Sequence, residues 1–170
     1  MLATVCKLTL MAVISLGLAG CGSSRSTSDD SATALATLRL DFNGRAAMNT
    51  AGHEMSVLSV PTLVRVYQVR SRAALQKASY DSLVADSGQL PGADVLAEQS
   101  VVVRPGEGAQ LNMPLAGDAR FVAVVGLFRD PDLHEGSWRV ILDRSELDPI
   151  KARVLELGDN RLTLLPVGEG

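Results

Sequence analysis

Few side chains in this sequence could do chemistry. Its only imidazoles are His53 and His134, far apart in the chain, and no His-x-x-x-His or Cys-x-x-Cys spacing sets two metal ligands on one element. Asp130, Asp132 and Glu135 are sparser than the ligands of a calcium loop and surround no central glycine, so they read as a solvated turn. Serine triads assemble through the fold rather than along the chain, but no nucleophile-elbow motif supports one. Catalysis is therefore not expected, nor any metal or dissociable cofactor. Two thiols remain, Cys6 and Cys21. Cys21 stands where chemistry is plausible, after the small pair Ala19-Gly20 at the end of an apolar run.

The segment that positions Cys21 starts weakly basic, with Lys7 as its only charge, and continues apolar from Leu8 to Leu18. That run is too short to span a bilayer and the right length for a signal-peptide core. Leu18-Ala19-Gly20-Cys21 resembles the lipobox of bacterial lipoproteins. The resemblance implies a diacylglycerol thioether on the Cys21 sulfur, cleavage before it, and a mature chain that begins on a lipid. Two or three acyl chains anchor stably where one does so marginally. Gly22 and Ser23 are not the Asp that holds such lipoproteins at the inner membrane, so the implied location is the outer membrane, facing the periplasm.

Residues 1–20 thus read as a cleaved signal peptide, leaving 170 − 20 = 150 residues, a one-domain length. Cys6 leaves with the signal and Cys21 is acylated, so no disulfide is expected. Without Lys7, 15 basic residues face 19 acidic ones, a balance of −4 that argues against nucleic acid and against a polybasic membrane patch. Residues 21–33, polar after the Cys, read as a flexible tether with a span of roughly 20 Å. Residues 34–170 read as the folded domain.

That domain has the grammar of strands. Thr37 to Phe42 alternates so that Leu38, Leu40 and Phe42 share a face, and Asn43-Gly44 ends or bends it. Thr62 to Val69 follows Pro61. Ser71 and Ser79 cap two helical turns carrying Leu75, Tyr80 and Leu83, which are expected to cover an open end or edge of the fold. Further strands follow at 97–103, 109–115, 120–128, 137–142, 152–157 and 161–167. The run at 120–128 is the most apolar and is expected to be central. Gly158-Asp159-Asn160 marks a tight hairpin. Eight strands and one short helical insertion give an all-β class and a two-sheet β-sandwich. Trp138 and Tyr67 read as core, and Arg129 and Arg139 as partners of acids such as Asp130 or Glu135.

With those elements placed, the chain resembles the outer-membrane lipoproteins of type VI secretion systems, the TssJ (SciN/VasD) family. The resemblance is carried by Leu63-Val64-Arg65-Val66-Tyr67-Gln68-Val69, Tyr80-Asp81-Ser82-Leu83 and Gly92-Ala93-Asp94-Val95-Leu96. Val103-Arg104-Pro105-Gly106-Glu107, Phe128-Arg129-Asp130 and Trp138-Arg139 complete it. Val69 stands where Leu is usual, and Ala74-Leu75 where the first helical turn often has Phe. The resemblance implies a transthyretin-like sandwich with no enzymatic activity. It also implies binding to the periplasmic C-terminal region of the IcmF-like inner-membrane subunit, TssM, and anchoring of the envelope-spanning complex.

The connection from Asn49 to Val60 is long for a hairpin and too apolar for a loop that merely turns in water. In the family the first interstrand loop grips the partner. Asn49, His53, Glu54, Met55, Val57 and Leu58 are accordingly the expected contact residues, with His53, Glu54 and Met55 at the tip. The competing reading extends the second strand back to Ser56 and folds Val57 and Leu58 onto the core. A rival function is a lipid-anchored module for a small molecule, glycan or cell-wall component. Such a module needs a concave site with clustered exposed aromatics.

Overall fold

The computed structural model describes residues 36–50, 58–85, 90 and 95–167. The signal segment 1–20, the tether 21–33 and Cys21 lie outside the described residues, as do the glycines and proline at 88, 91 and 92. The strands are β1 (Thr37–Gly44), β2 (Thr62–Val69), β3 (Val95–Val103), β4 (Gly108–Pro114), β5 (Phe121–Leu127), β6 (Arg139–Asp143), β7 (Arg153–Gly158) and β8 (Arg161–Leu164). Two short helices, α1 (Arg72–Lys77) and α2 (Tyr80–Val84), lie between β2 and β3. The strands form two four-stranded sheets, ordered β4-β1-β7-β8 and β3-β2-β5-β6.

The period-two pattern of β1 puts Leu38, Leu40 and Phe42 inside, each at most 1% exposed. β1 is antiparallel to β4 and parallel to β7, so its backbone groups are paired on both sides. Gln68 staples the sheets together: its amide donates to Pro114 O and accepts from Ala116 N, at 2.9 and 2.7 Å. The even residues of β2 therefore face the other sheet.

The odd residues of β2 are covered too, which corrects the expected place of the helical insertion. In register with Arg65 and Tyr67 lie Val125 and Ala123 of β5, and beyond them Arg139 and Ile141 of β6. Arg65 donates to Leu83 O at 2.7 Å, and Arg139 donates to Leu75 O and Ala78 O at 2.6 and 3.2 Å. The helices thus lie over the outer face of this sheet rather than at an end or edge. Tyr67, Ala123 and Val125 are buried beneath that cover. This is why β5 is apolar on both faces, and the order β3-β2-β5-β6 makes it an interior strand as expected. Burial lowers the affinity of the Arg139 guanidinium for its proton. Arg139 thus binds helix carbonyls and lies 4.8 Å from the Trp138 ring, instead of pairing with Asp130 or Glu135.

Ser79 caps α2 by accepting from Ser82 N, and Ser71 Oγ accepts from Ala73 N. Tyr80 packs edge-on against Trp138 at 5.2 Å and its hydroxyl donates to Phe128 O. Burial pushes the Tyr80 phenol up to about 12, with Asp81 adding to the effect. Trp138 is core, as expected, though it stands just before β6 rather than inside it.

Candidate functional site

The strand directions gather the β1–β2, β3–β4, β5–β6 and β7–β8 connections at one end of the sandwich, the loop pole. At the other end Leu115 N donates to Ala36 O, so the chain enters the domain there, at the entry pole. Eight residues of β1 separate the two poles, a length of about 25 Å at strand rise.

Turn chemistry builds the loop pole. Asp159 and Asn160 both have positive φ, 48° and 61°, as the two-residue hairpin between β7 and β8 requires. Arg104-Pro105-Gly106-Glu107 closes through Glu107 N to Arg104 O at 3.1 Å, with Gly106 at φ 75°. Gly44 lets that turn approach: a Cβ there would stand 2.3 Å from Arg104 O.

The base of the β1–β2 loop is pinned to its neighbours. Met48 N donates to Ser59 Oγ at 3.4 Å, and Asn160 Nδ2 donates to Thr50 O at 2.8 Å. Asn49 is the central clamp. Its Nδ2 donates to Pro61 O at 3.1 Å, and its Oδ1 accepts from Arg129 N at 2.8 Å. One side chain thereby ties the β1–β2 loop to its own return and to the β5–β6 loop. Asn49 has φ 50° and is 2% exposed. It is a buried support, which corrects its placement among the surface contacts. A short polar side chain suits that backbone, since Asn visits the left-handed region more readily than other non-glycine residues.

Of the other expected contacts, Leu58 is 80% exposed and does not fold back on the core. The second strand begins at Thr62, so residues 58–61 do not extend it. His53, Glu54, Met55 and Val57 lie outside the described residues.

The structure adds a neighbour that sequence reading passed over. Leu133, at the tip of the β5–β6 loop, is 58% exposed on the same pole as Leu58. Its loop is rigidified by Asp132, whose Oδ1 accepts from His134 N and Glu135 N at 2.8 and 2.9 Å. The Glu135 and His134 N–H groups hold that carboxyl below its ordinary range, with charge from His134 and Arg161 helping. Asp130, Asp132, Glu135 and Asp159 are exposed around these leucines, with Arg129 and Arg161 among them. The sequence signal was Leu133 itself, an apolar residue in an otherwise polar turn. No group of acids and imidazoles suited to a metal occurs among the described residues. Among the described residues the pole presents the exposed Leu58 and Leu133 within a charged rim, an arrangement that suits a protein contact.

Two clefts lie elsewhere among the described residues. One of about 450 Å³ is lined by Arg70, Asp118, Arg120 and Arg144, and one of about 230 Å³ by Ala36, Leu115, Leu147 and Pro149 among others. Phe42, Tyr67, Phe128 and Trp138 are buried and Tyr80 and Phe121 are half-buried, so no aromatic platform faces solvent. Among the described residues no helix is long and apolar enough to cross a membrane.

The family described as type VI secretion lipoprotein, VasD, EvfM, TssJ, VC_A0113, matches residues 36–161. No curated protein sequence matches the chain. Among solved structures, the chain is similar to a chain of one described as "T6SS protein TssM C-terminal domain (869-1107) from EAEC". The identity is 36% and the TM-score 0.68, over 77% of this chain and 98% of that one. It is also similar to a chain of a "Type VI membrane complex" at 36% identity and TM-score 0.70, covering 78% of this chain and 99% of that one. A third, the Serratia marcescens Lip, a membrane-bound component of the type VI secretion system, shares the fold. It has 22% identity and TM-score 0.64, covering 76% of this chain and 97% of that one.

Proposed function

The chain belongs to the type VI secretion lipoprotein family. On that premise we propose that it hangs from the outer membrane by a lipid on Cys21, and that its loop pole holds the periplasmic C-terminal region of the inner-membrane subunit TssM. In this role it is a structural anchor and not an enzyme. The observation that carries the partner is the 36% identity to a chain found with the TssM C-terminal domain. Three quarters of a 170-residue chain nearly covers that matched chain, so it is much shorter than the range 869–1107 that the description names.

The geometry suits the role. The chain leads toward Cys21 from the entry pole, about 25 Å from Leu58 and Leu133 by the length of β1. The membrane-linked end and the partner-facing end thus do not compete for one surface. His53, Glu54, Met55, Val57 and Leu58 remain the proposed contacts, joined by Leu133, with Asn49 behind them as support.

The test replaces residues 51–57 by Asn-Gly, keeping Asn49, Thr50 and the pinned return at Ser59. The expected result is an unchanged unfolding transition and no capture of the TssM C-terminal domain. Full capture by the folded variant would move the interface off this loop.

A further inference from the structure

We propose that the entry pole is a second membrane contact, seating on a bilayer surface that carries anionic phospholipids. This rests on acylation of Cys21. The overall balance of −4 in the mature chain conceals how unevenly its charge is distributed. Among the described residues around the entry pole, Arg70, Arg72, Arg120, Arg144, Lys151 and Arg153 stand against Glu98, Asp118, Asp143, Glu146 and Asp148, one positive charge in excess. Around the loop pole Arg45, Arg104, Arg129 and Arg161 stand against Glu107, Asp130, Asp132, Glu135, Glu156 and Asp159, two negative in excess. Among the described residues the entry pole is therefore more basic than the loop pole.

The basic end is also shaped for a headgroup layer. Arg144 Nη1 donates to the carbonyls of Ala116, Gly117 and Ala119 at 2.9, 3.3 and 2.9 Å, which fixes its guanidinium in the cleft of about 450 Å³. Arg70 is engaged with Asp118 at 3.2 Å. The exposed Arg120 side chain has no hydrogen bond or ion pair among the described residues. Guanidinium groups in a shallow cleft suit phosphodiesters, which they can bind through paired N–H donors.

Beside the cleft the β6–β7 loop projects Ile150, which is 82% exposed. Its turn is rigid, because Asp148 Oδ1 accepts from Ile150 N and Lys151 N at 2.7 and 2.8 Å. An exposed isoleucine next to a lysine, on a fixed turn flanked by arginines, has the composition of an interfacial membrane contact. It stands at the end where the chain comes in from its acylated cysteine. A polar tether alone would leave the domain free to tumble. A seated entry pole would aim the loop pole away from the membrane.

Each basic residue near an anionic surface strengthens attachment about fivefold, so neutralising two should lower the ratio of seated to lifted domain about 25-fold. The acylated mature chain is expected to have no free thiol, so Ile150→Cys or Leu58→Cys gives a single site for an environment-sensitive fluorophore. The labelled lipoproteins are reconstituted in vesicles of phosphatidylethanolamine with phosphatidylglycerol, or of phosphatidylcholine alone, containing a lipid-borne quencher. The expected result is strong quenching of the probe at 150 and little at 58. That quenching should weaken in phosphatidylcholine, in high salt, and with Arg120→Gln combined with Lys151→Gln. Both exposed positions permit folding, which the unfolding transition of each variant checks. A probe at 150 as unquenched as that at 58, in anionic vesicles with which the chain floats, overturns the proposal. So does shielding of that probe only when a periplasmic protein is added, which would make the pole a protein surface. Failure of the chain to float refutes acylation at Cys21, and the seating proposal falls with it.

Discussion

Removing the Asn49 side chain should loosen the loop pole as a whole. Asn49→Ala strips the partner from Pro61 O and from Arg129 N, two half-buried groups bonded at 3.1 and 2.8 Å. An orphaned buried group costs ~1–3 kcal/mol, and partial access to water places each of these near the lower end, ~1 kcal/mol. Alanine at φ 50° adds ~1 kcal/mol relative to asparagine. The expected loss is therefore ~3 kcal/mol, a large share of the ~5–15 kcal/mol that holds a domain folded. In urea titrations of the lipid-free chain, read by far-ultraviolet circular dichroism, that corresponds to a midpoint lowered by about 1–2 M. Asn49→Gly loses the same two bonds but tolerates the backbone, so it should be no worse than alanine despite the added freedom of its unfolded chain. Asn49→Asp keeps the acceptor for Arg129 N but sets a carboxylate against Pro61 O, and should resemble alanine. Capture of the TssM domain should fall in all three even where folding is intact, because the loop base is no longer fixed. A loss below ~0.5 kcal/mol for Asn49→Ala would refute the clamp, and alanine clearly more stable than glycine would refute the backbone argument.

Leu83→Ala, at a site 1% exposed between α2 and the outer face of the β3-β2-β5-β6 sheet, should cost ~2–5 kcal/mol in the same titration; a change under ~0.5 kcal/mol would make the insertion peripheral. Cys21→Ser should leave a folded chain that takes up no labelled fatty acid and leaves the outer-membrane fraction; persistence there after a high-salt wash would contradict the anchor. The Tyr80 phenol is raised from 10.0 to about 12, so stability present below pH 10 should be lost as pH rises through about 12, and Tyr80→Phe should remove that alkaline transition. The Asp132 carboxyl is depressed instead, so its contribution to loop order should persist above its ordinary 3.8 and vanish as pH falls below that value; Asp132→Ala should erase this acid dependence in amide exchange at His134 and Glu135.

Local periodicity and turn chemistry made much of this protein legible along the chain. Thr62–Val69 is the strand its residues announced, Leu38, Leu40 and Phe42 share the buried face, and Asp159-Asn160 turns the last hairpin. These features depend on neighbours within a few residues, so sequence specifies them directly. The order of the resembling motifs identified the family for the same reason. Tertiary structure alone decided what depends on distant partners. The helical insertion covers a sheet face because Arg139 reaches carbonyls more than sixty positions back in the chain. Asn49 became a support because its donor and acceptor partners are Arg129 N and Pro61 O, one in another loop and one across its own. Leu133 joined Leu58 only when the strand directions brought their loops to one pole. The separation of charge between poles was likewise invisible in a net balance, because a sum over the chain discards position.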